Sequence, residues 1–174
     1  LPGSMSAKAA KQTGETNAHL AQIRGHSMGL VVGCDNCHVV PATVEQEGHI
    51  RGEPARVNFS KLATIGNVSP RWDRNSRTCS NTYCHGATLS GGSNKDPNWA
   101  TTDGSKLTCG SCHGNPPPPP HTKSAKCQRC HPGTVTEDGT INMAGGKHMN
   151  GVVDVESKHA INRGWMVKGS AGFH

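Results

Sequence analysis

All eight cysteines of this 174-residue chain occur in four pairs, and a histidine directly follows the second cysteine of each pair. We number these motifs one to four along the chain: residues 34–38, 79–85, 109–113 and 127–131. Two residues separate the cysteines in motifs one, three and four, and four residues separate them in motif two. Since the chain has only 11 histidines, chance would place one after every pair with a probability on the order of 10⁻⁵, so the pattern carries a specific meaning. No other feature constrains the chain as strongly.

The spacing of these residues indicates covalent haem. Two cysteines separated by two residues and followed by histidine form the attachment signature of c-type haem. Thiols on one helical turn reach the two vinyl groups of one porphyrin, and the adjacent imidazole reaches the iron. The longer spacer of motif two is expected to bulge outward and to present the same groups. The sequence therefore predicts four haem c groups, with thioether bonds to Cys34, Cys37, Cys79, Cys84, Cys109, Cys112, Cys127 and Cys130, and with His38, His85, His113 and His131 as proximal iron ligands.

Other uses of paired cysteines account for less of the pattern. Zinc ribbons also use paired cysteine knuckles, and eight cysteines could close four disulfides. An iron–sulfur site is a third alternative. None of the three requires a histidine after every second cysteine.

The composition agrees with an unusual core. Leu, Ile, Val and Phe together make up 25 residues, about 14% of the chain, below the level of about 20% typical of chains that bury an ordinary core. Covalent haems would supply the missing apolar mass and the missing cross-links. The expected fold is therefore a mostly irregular, coil-rich small multihaem cytochrome c with a few short helices, little sheet and a core formed by the haems.

The positive charge does not indicate a nucleic-acid partner. The formal net charge is +6, but the chain has no dense Lys/Arg stripe and only six aromatic residues on which bases could stack. Four haems would also bring about eight propionate carboxylates, which reverse the sign of the net charge. No partner nucleic acid is expected.

Seven histidines remain outside the motifs and could close the other face of each iron. We predict bis-histidine ligation, because these histidines outnumber the methionines that could replace them and raise the reduction potential (Met28, Met143, Met149 and Met166). The predicted distal ligands are His19, His49, His121 and His148, with His26 and His159 as further candidates. His121 ends the run Pro116 to Pro120, which in a polyproline II conformation would form a stiff strut of about 15 Å.

The chain is expected to form a single domain over residues 1–174. It would comprise a polar N-terminal arm (1–33) with one short helix from Thr16 to Arg24, the motif region (34–131) and a loop-rich tail (132–174). The longest apolar run, around Leu30 to Val32, is far too short to span a bilayer. No charged-then-apolar leader opens the sequence, yet haem is joined to cysteine outside the cytoplasm, which predicts export.

Motifs two and three, with the residues that follow them, resemble the paired CxxxxCH/CxxCH multihaem cytochromes of metal-reducing bacteria. The matching blocks are Cys-Ser-Asn-Thr-Tyr-Cys-His-Gly-Ala-Thr-Leu (79–89) and Cys-Gly-Ser-Cys-His-Gly-Asn-Pro-Pro (109–117). Similar segments extend the resemblance over roughly residues 17–155. It implies secreted, low-potential, bis-histidine electron carriers that are often exposed at the cell surface. Related extracellular cytochromes polymerise into filaments (nanowires) in which a histidine of one subunit ligates a haem of the next.

Electron transfer without substrate chemistry is therefore the expected function, in the extracellular space or at the cell surface, or alternatively in the periplasm. The expected partners are copies of the chain itself in a filament, with His19 or His26 ligating a neighbouring haem, and other redox proteins or extracellular electron acceptors. A soluble monomeric tetrahaem shuttle is the alternative within this class. A multihaem reductase would need one open iron position, and nothing marks one motif as different in ligand type. A structural zinc module is the third hypothesis.

Overall fold

The computed structural model describes residues 16–25, 28–46, 56–100 and 107–156. In these ranges the chain forms one α-helix, one two-stranded sheet and five short 3₁₀ turns, and turns and irregular segments join them. The expectation of a coil-rich chain with little regular structure is confirmed. No helix in the described part is long and apolar enough to cross a membrane.

Helix α1 spans Thr16–Arg24, the range predicted from the sequence. It ends because Gly25 adopts a left-handed conformation with φ of 68°, which costs glycine little and commonly terminates a helix. The next segment folds back on the helix, where the Val32 N–H donates to the Gln22 carbonyl at 2.9 Å. The helix thereby lies against the chain that leads into motif one.

The sheet is an antiparallel hairpin of β1 (Arg71–Asp73) and β2 (Thr78–Ser80). Trp72 pairs with Cys79 in its register. The Asp73 carboxylate accepts hydrogen bonds from the backbone N–H groups of the turn, which lower the pKa of this exposed group and favour the turn. The hairpin therefore carries the first cysteine of motif two on a fixed strand.

A local turn forms at each motif, as expected. Three motifs contain a 3₁₀ turn (Cys34–Asn36, Tyr83–His85 and Cys127–Arg129), and the other two 3₁₀ turns are Lys61–Thr64 and Met143–Gly145. Motif three is a hydrogen-bonded turn in which the Ser111 N–H donates to the Thr108 carbonyl. The outward bulge expected for motif two occurs only at exposed Asn81, because the next residue, Thr82, is 2% exposed and turns inward.

Few apolar side chains are buried in the described ranges, and those that are buried are small: Ala18, Val32, Ala63, Cys79 and Val155. No side chain there is both large and fully buried. Side-chain packing therefore contributes little to the stability of this fold. A core made by haem remains a prediction, with which this sparse packing agrees.

Motifs two and three lie directly against each other. A Cβ placed on Gly86 would collide with the Cys112 carbonyl oxygen, and a Cβ on Gly92 would lie 2.6 Å from the same oxygen. The intervening loop runs antiparallel to motif three, with hydrogen bonds that include Asn94 N–H to Ser111 carbonyl at 2.8 Å. The chain therefore needs glycine at these positions to bring the two motifs together.

The proline run before His121 is not the straight strut predicted from the sequence. The His121 N–H donates to the Pro118 carbonyl at 3.2 Å, which closes a turn, and the bonds Asn115–Pro116 and Pro119–Pro120 are cis. A polyproline II helix has no internal hydrogen bonds, so this turn is a different structure. After this turn, the His121 ring lies 6.3 Å from the His131 ring of motif four.

The contact between motifs two and three predicts the effect of Gly86→Ala. Gly86 has φ of 81° in addition to the collision with Cys112, so the substitution should lower the free energy of unfolding by about 2–4 kcal/mol. Thermal unfolding of the haem-loaded protein, followed by absorbance, measures the loss.

Two glycines serve as controls for this substitution. Gly139→Ala tests positive φ alone, because Gly139 has φ of 86° and a Cβ added there would meet no atom within 4 Å. Gly110→Ala tests neither positive φ nor close approach, because Gly110 does not have positive φ and its Cβ would also meet open space. Its free energy of unfolding should stay within about 0.5 kcal/mol of the wild-type value. Equal losses in all three variants would show that the close approach at Gly86 does not matter.

Candidate functional site

Motif one is held by a second segment of the chain. Within the motif, the His38 N–H donates to the Cys34 carbonyl at 2.9 Å. The segment 56–58 then makes two bonds: the His38 ring atom Nδ1 lies 2.8 Å from the Arg56 carbonyl, and the Asn58 N–H donates to the Cys37 carbonyl at 2.7 Å. The motif and its imidazole are therefore fixed by backbone groups.

Motif four repeats this arrangement. The His131 N–H donates to the Cys127 carbonyl at 2.9 Å, and the segment 154–156 plays the same part as 56–58. His131 Nδ1 lies 2.8 Å from the Asp154 carbonyl, and the Glu156 N–H donates to the Cys130 carbonyl at 2.9 Å. Motifs one and four are thus equivalent in their backbone hydrogen bonds.

Five histidine rings place Nδ1 at a backbone carbonyl, 2.6–2.8 Å away: His38, His113, His121, His131 and His148. A carbonyl only accepts, so each Nδ1 carries the proton and the lone pair of the ring is on Nε2. Metal-bound histidines show this pattern, in which one ring nitrogen donates to a carbonyl and the other binds the metal.

Two pairs of imidazole rings have the same distance between their ring centroids. The ring centroids of His19 and His38 are 6.3 Å apart with planes 24° from parallel, and those of His121 and His131 are 6.3 Å apart with planes 5° from parallel. This separation is well beyond the contact distance of about 3.5–4 Å between stacked carbon atoms. The rings of each pair therefore leave space between them.

That space fits one metal ion between two imidazoles. Two metal–imidazole bonds of about 2.0 Å and two ring radii of about 1.1 Å place the centroids about 6.2 Å apart, against the observed 6.3 Å. The proximal histidine of each pair follows two cysteines on one turn, as haem attachment requires. The residues of motifs one and four therefore fit a haem iron with histidine on both faces.

The exposure of the cysteines differs: Cys79 is buried, Cys34 is exposed and the other six are half-buried. Burial, with a smaller effect from charge on Cys37, raises the pKa of Cys79 to about 11 and that of Cys84 to about 12. Burial also raises the pKa of Cys37 and Cys112. All eight cysteines are free of disulfides.

The described residues contain no cluster of three or more His, Cys, Asp or Glu side chains that could hold a bare metal ion. A structural zinc site gathers four such ligands at one point. The haem pattern differs, because it needs only one histidine on each face of the porphyrin.

For three other predicted ligands, the structure gives a position or a hydrogen bond. His85 is on the 3₁₀ turn of motif two, and His113 ends motif three with Nδ1 at the Gly114 carbonyl. His148 Nδ1 bonds the Met28 carbonyl at 2.7 Å, which joins the tail to the segment before motif one. The predicted ligand His49 and the further candidates His26 and His159 lie outside the described residues.

Sequence reasoning missed the residues that support the ligands. The carbonyls of Arg56 and Asp154 have no side-chain signature, so no sequence pattern could have revealed them. Trp99 lies beside the His19 ring, with centroids 4.7 Å apart. Tryptophan is rare in this chain, which has three, and this rarity could have marked Trp99 as a residue to consider.

Asn36, in the spacer of motif one, is buried and joins two turns. Its side-chain N–H donates to the Gly33 carbonyl at 3.1 Å, and its oxygen accepts from the Leu62 N–H at 3.0 Å. Asn36→Ala should lower the free energy of unfolding by about 1–3 kcal/mol, because the Leu62 N–H loses its acceptor. Chemical denaturation of the holoprotein measures this loss.

Arg129 is the matched control, because it occupies the same spacer position in motif four and is exposed. Arg129→Ala should change the free energy of unfolding by less than about 0.5 kcal/mol. A loss as large as that of Asn36→Ala would show that spacer substitutions act generally and not through this hydrogen-bonded bridge.

Comparison with known proteins agrees with the site. Residues 78–113 match a family model described as the Geobacter CxxxxCH...CXXCH motif, and they run from the first residue of β2 to the histidine of motif three. No match to a curated protein or to a solved structure was found. The chain carries the paired haem-attachment motif of multihaem c-type cytochromes, which bind haem covalently and transfer electrons.

Proposed function

We propose that this protein carries electrons through four haem c groups, each with histidine on both faces of the iron, and performs no chemistry on a substrate. The observation that carries the proposal is the pair of facing imidazoles at 6.3 Å, found once at motif one and once at motif four. Ligation on both faces leaves no open position for a substrate, which a reductase requires.

The bound haem supplies a one-electron iron couple. The chain supplies the rest: eight cysteines hold the porphyrins, and the motif histidines ligate the irons. The Arg56 and Asp154 carbonyls orient the His38 and His131 rings through Nδ1. A hydrogen bond of this kind makes the imidazole a stronger donor to the metal. Tight spacing of motifs two and three through Gly86 favours short distances between neighbouring haems.

The distal ligands follow from the same contacts. His19 serves motif one and His121 serves motif four, because each faces the proximal ring. We assign His148 to motif two, because Gly151, three residues further along the chain, lies beside the Tyr83 phenol of that motif. His49, predicted from the sequence, is our proposed ligand for motif three.

We extend the proposal to assembly and location. The protein acts outside the cytoplasm as a subunit of a haem-stacked filament that moves electrons over long distances to redox proteins or extracellular acceptors. The small amount of polypeptide per haem, about 44 residues, supports this because it leaves haem edges near the surface. Since His19 already faces His38 of its own chain, His26 is the histidine proposed to ligate a neighbouring subunit. The alternative is a soluble monomeric periplasmic shuttle.

The ligation is tested by adding cyanide to the ferric holoprotein. Wild-type protein should show no change in its Soret band, because every iron is closed. His121→Ala should open one iron in four, so cyanide should shift about a quarter of the Soret absorbance.

Thr122→Ala is the control for this variant. It removes the neighbouring side chain but keeps the carbonyl that accepts from His121 Nδ1, and should behave like wild type. Cyanide binding by the wild-type protein would contradict the proposal and favour a reductase. An unchanged spectrum in His121→Ala would show that His121 is not a ligand.

Electron microscopy of concentrated holoprotein tests the assembly. We expect ordered filaments from wild-type protein, and separate particles from His26→Ala that still carries its haems. His19→Ala is the matched variant, which should lose one closed iron and keep the filament. Uniform small particles from wild-type protein would instead support the soluble shuttle.

A further inference from the structure

The aromatic side chain beside His19 belongs to a different part of the chain from the helix that carries the histidine. Trp99 and His19 have ring centroids 4.7 Å apart and planes 87° apart. This is an edge-to-face contact, a favoured geometry for aromatic pairs. The Trp99 ring therefore occupies the space directly beside the imidazole.

Trp99 is itself held by the β1–β2 hairpin. Its backbone N–H donates to the Arg77 carbonyl at 2.7 Å, and the Asn98 side chain donates to the Ser76 carbonyl at 2.8 Å. Its ring lies 6.3 Å from that of Trp72, with planes 77° apart. Trp72 in turn pairs with Cys79 in the hairpin register. The ring beside His19 is therefore fixed to the strand that carries the first cysteine of motif two.

Helix α1 buries little of its own surface, and the bond from the Val32 N–H to its Gln22 carbonyl is one of its tertiary contacts. Among its described side chains only Ala18 is buried, while His19 is exposed. A short helix with so little buried surface is marginally stable without tertiary contacts. Tertiary contacts of the ring, that with Trp99 among them, therefore contribute to the orientation of His19 relative to His38.

We propose that Trp99 is a positioning residue for the distal ligand of motif one: it limits rotation of the His19 ring and so sets the 24° angle between the His19 and His38 planes. The inference rests on the proposed ligation of one iron by these two histidines. Trp99 contacts the ligand and not the iron. It also links the ligand set of motif one to the hairpin of motif two.

The test is electron paramagnetic resonance of the ferric holoprotein, whose low-spin signals report the angle between axial ligand planes one iron at a time. His19→Ala first identifies the signal of motif one, which should disappear. Trp99→Leu should then shift or broaden that signal alone, with four haems still bound. Trp99→Phe keeps an aromatic edge and should restore a signal close to wild type.

Trp72→Leu is the matched control, because it removes a tryptophan of the same cluster while Trp99 keeps its backbone bond to Arg77. It should leave the motif-one signal in place. If Trp99→Leu does not load four haems, Trp99→Met replaces it in the same comparison.

Three results decide the matter. A motif-one signal unchanged by loss of the Trp99 ring, in protein with four haems, would overturn the positioning role and leave the ligation intact. If His19→Ala leaves every signal unchanged, the assigned ligand itself is wrong, and the inference fails with it. A shift confined to the signal that His19→Ala removes supports both.

Discussion

In motifs one and four, a backbone carbonyl accepts a hydrogen bond from Nδ1 of the motif histidine, which directs the ring and leaves Nε2 for a metal. His38 and His131 both receive this constraint from a distant segment, through the carbonyls of Arg56 and Asp154. A metal–ligand bond tolerates little error in direction, and a facing ring at 6.3 Å is useful only if both rings are aimed at one point. Segments 56–58 and 154–156 each supply such a hydrogen bond, and helix α1 and the turn before motif four each supply a second imidazole.

Backbone contacts replace the apolar core that the composition cannot provide. Because Gly86 has no side chain, the backbone of motif two can contact the backbone of motif three at Cys112. The buried side-chain amide of Asn36 joins two turns. Such contacts are specific in direction but individually weak, each worth about 1 kcal/mol. A chain stabilised in this way would gain from covalent cross-links, which the proposed thioether bonds of its eight cysteines to haem would supply.

The local features of this fold were predictable, and the long-range ones were not. Helix α1 was readable because a capping glycine follows it, and the four motifs because their spacing reflects covalent chemistry. The bond between His38 and the Arg56 carbonyl uses a backbone group that every residue has. The contact of Trp99 with His19 joins residues 80 positions apart. The prediction of a straight proline segment was wrong, because the His121 N–H bonds the Pro118 carbonyl and closes a turn. This bond outweighs the preference of proline for an extended conformation.

Motifs one and four are held in the same way. In each, the histidine N–H bonds the first cysteine carbonyl, a distant segment bonds the second cysteine and Nδ1, and another imidazole lies 6.3 Å from the motif histidine, with ring planes 24° and 5° from parallel. If both motifs bind haem as proposed, the two irons would have the same type of axial ligand, a main determinant of potential. Ligation alone would then give neither site the higher potential, and the direction of electron flow between them would be set by their surroundings and by the external donor and acceptor.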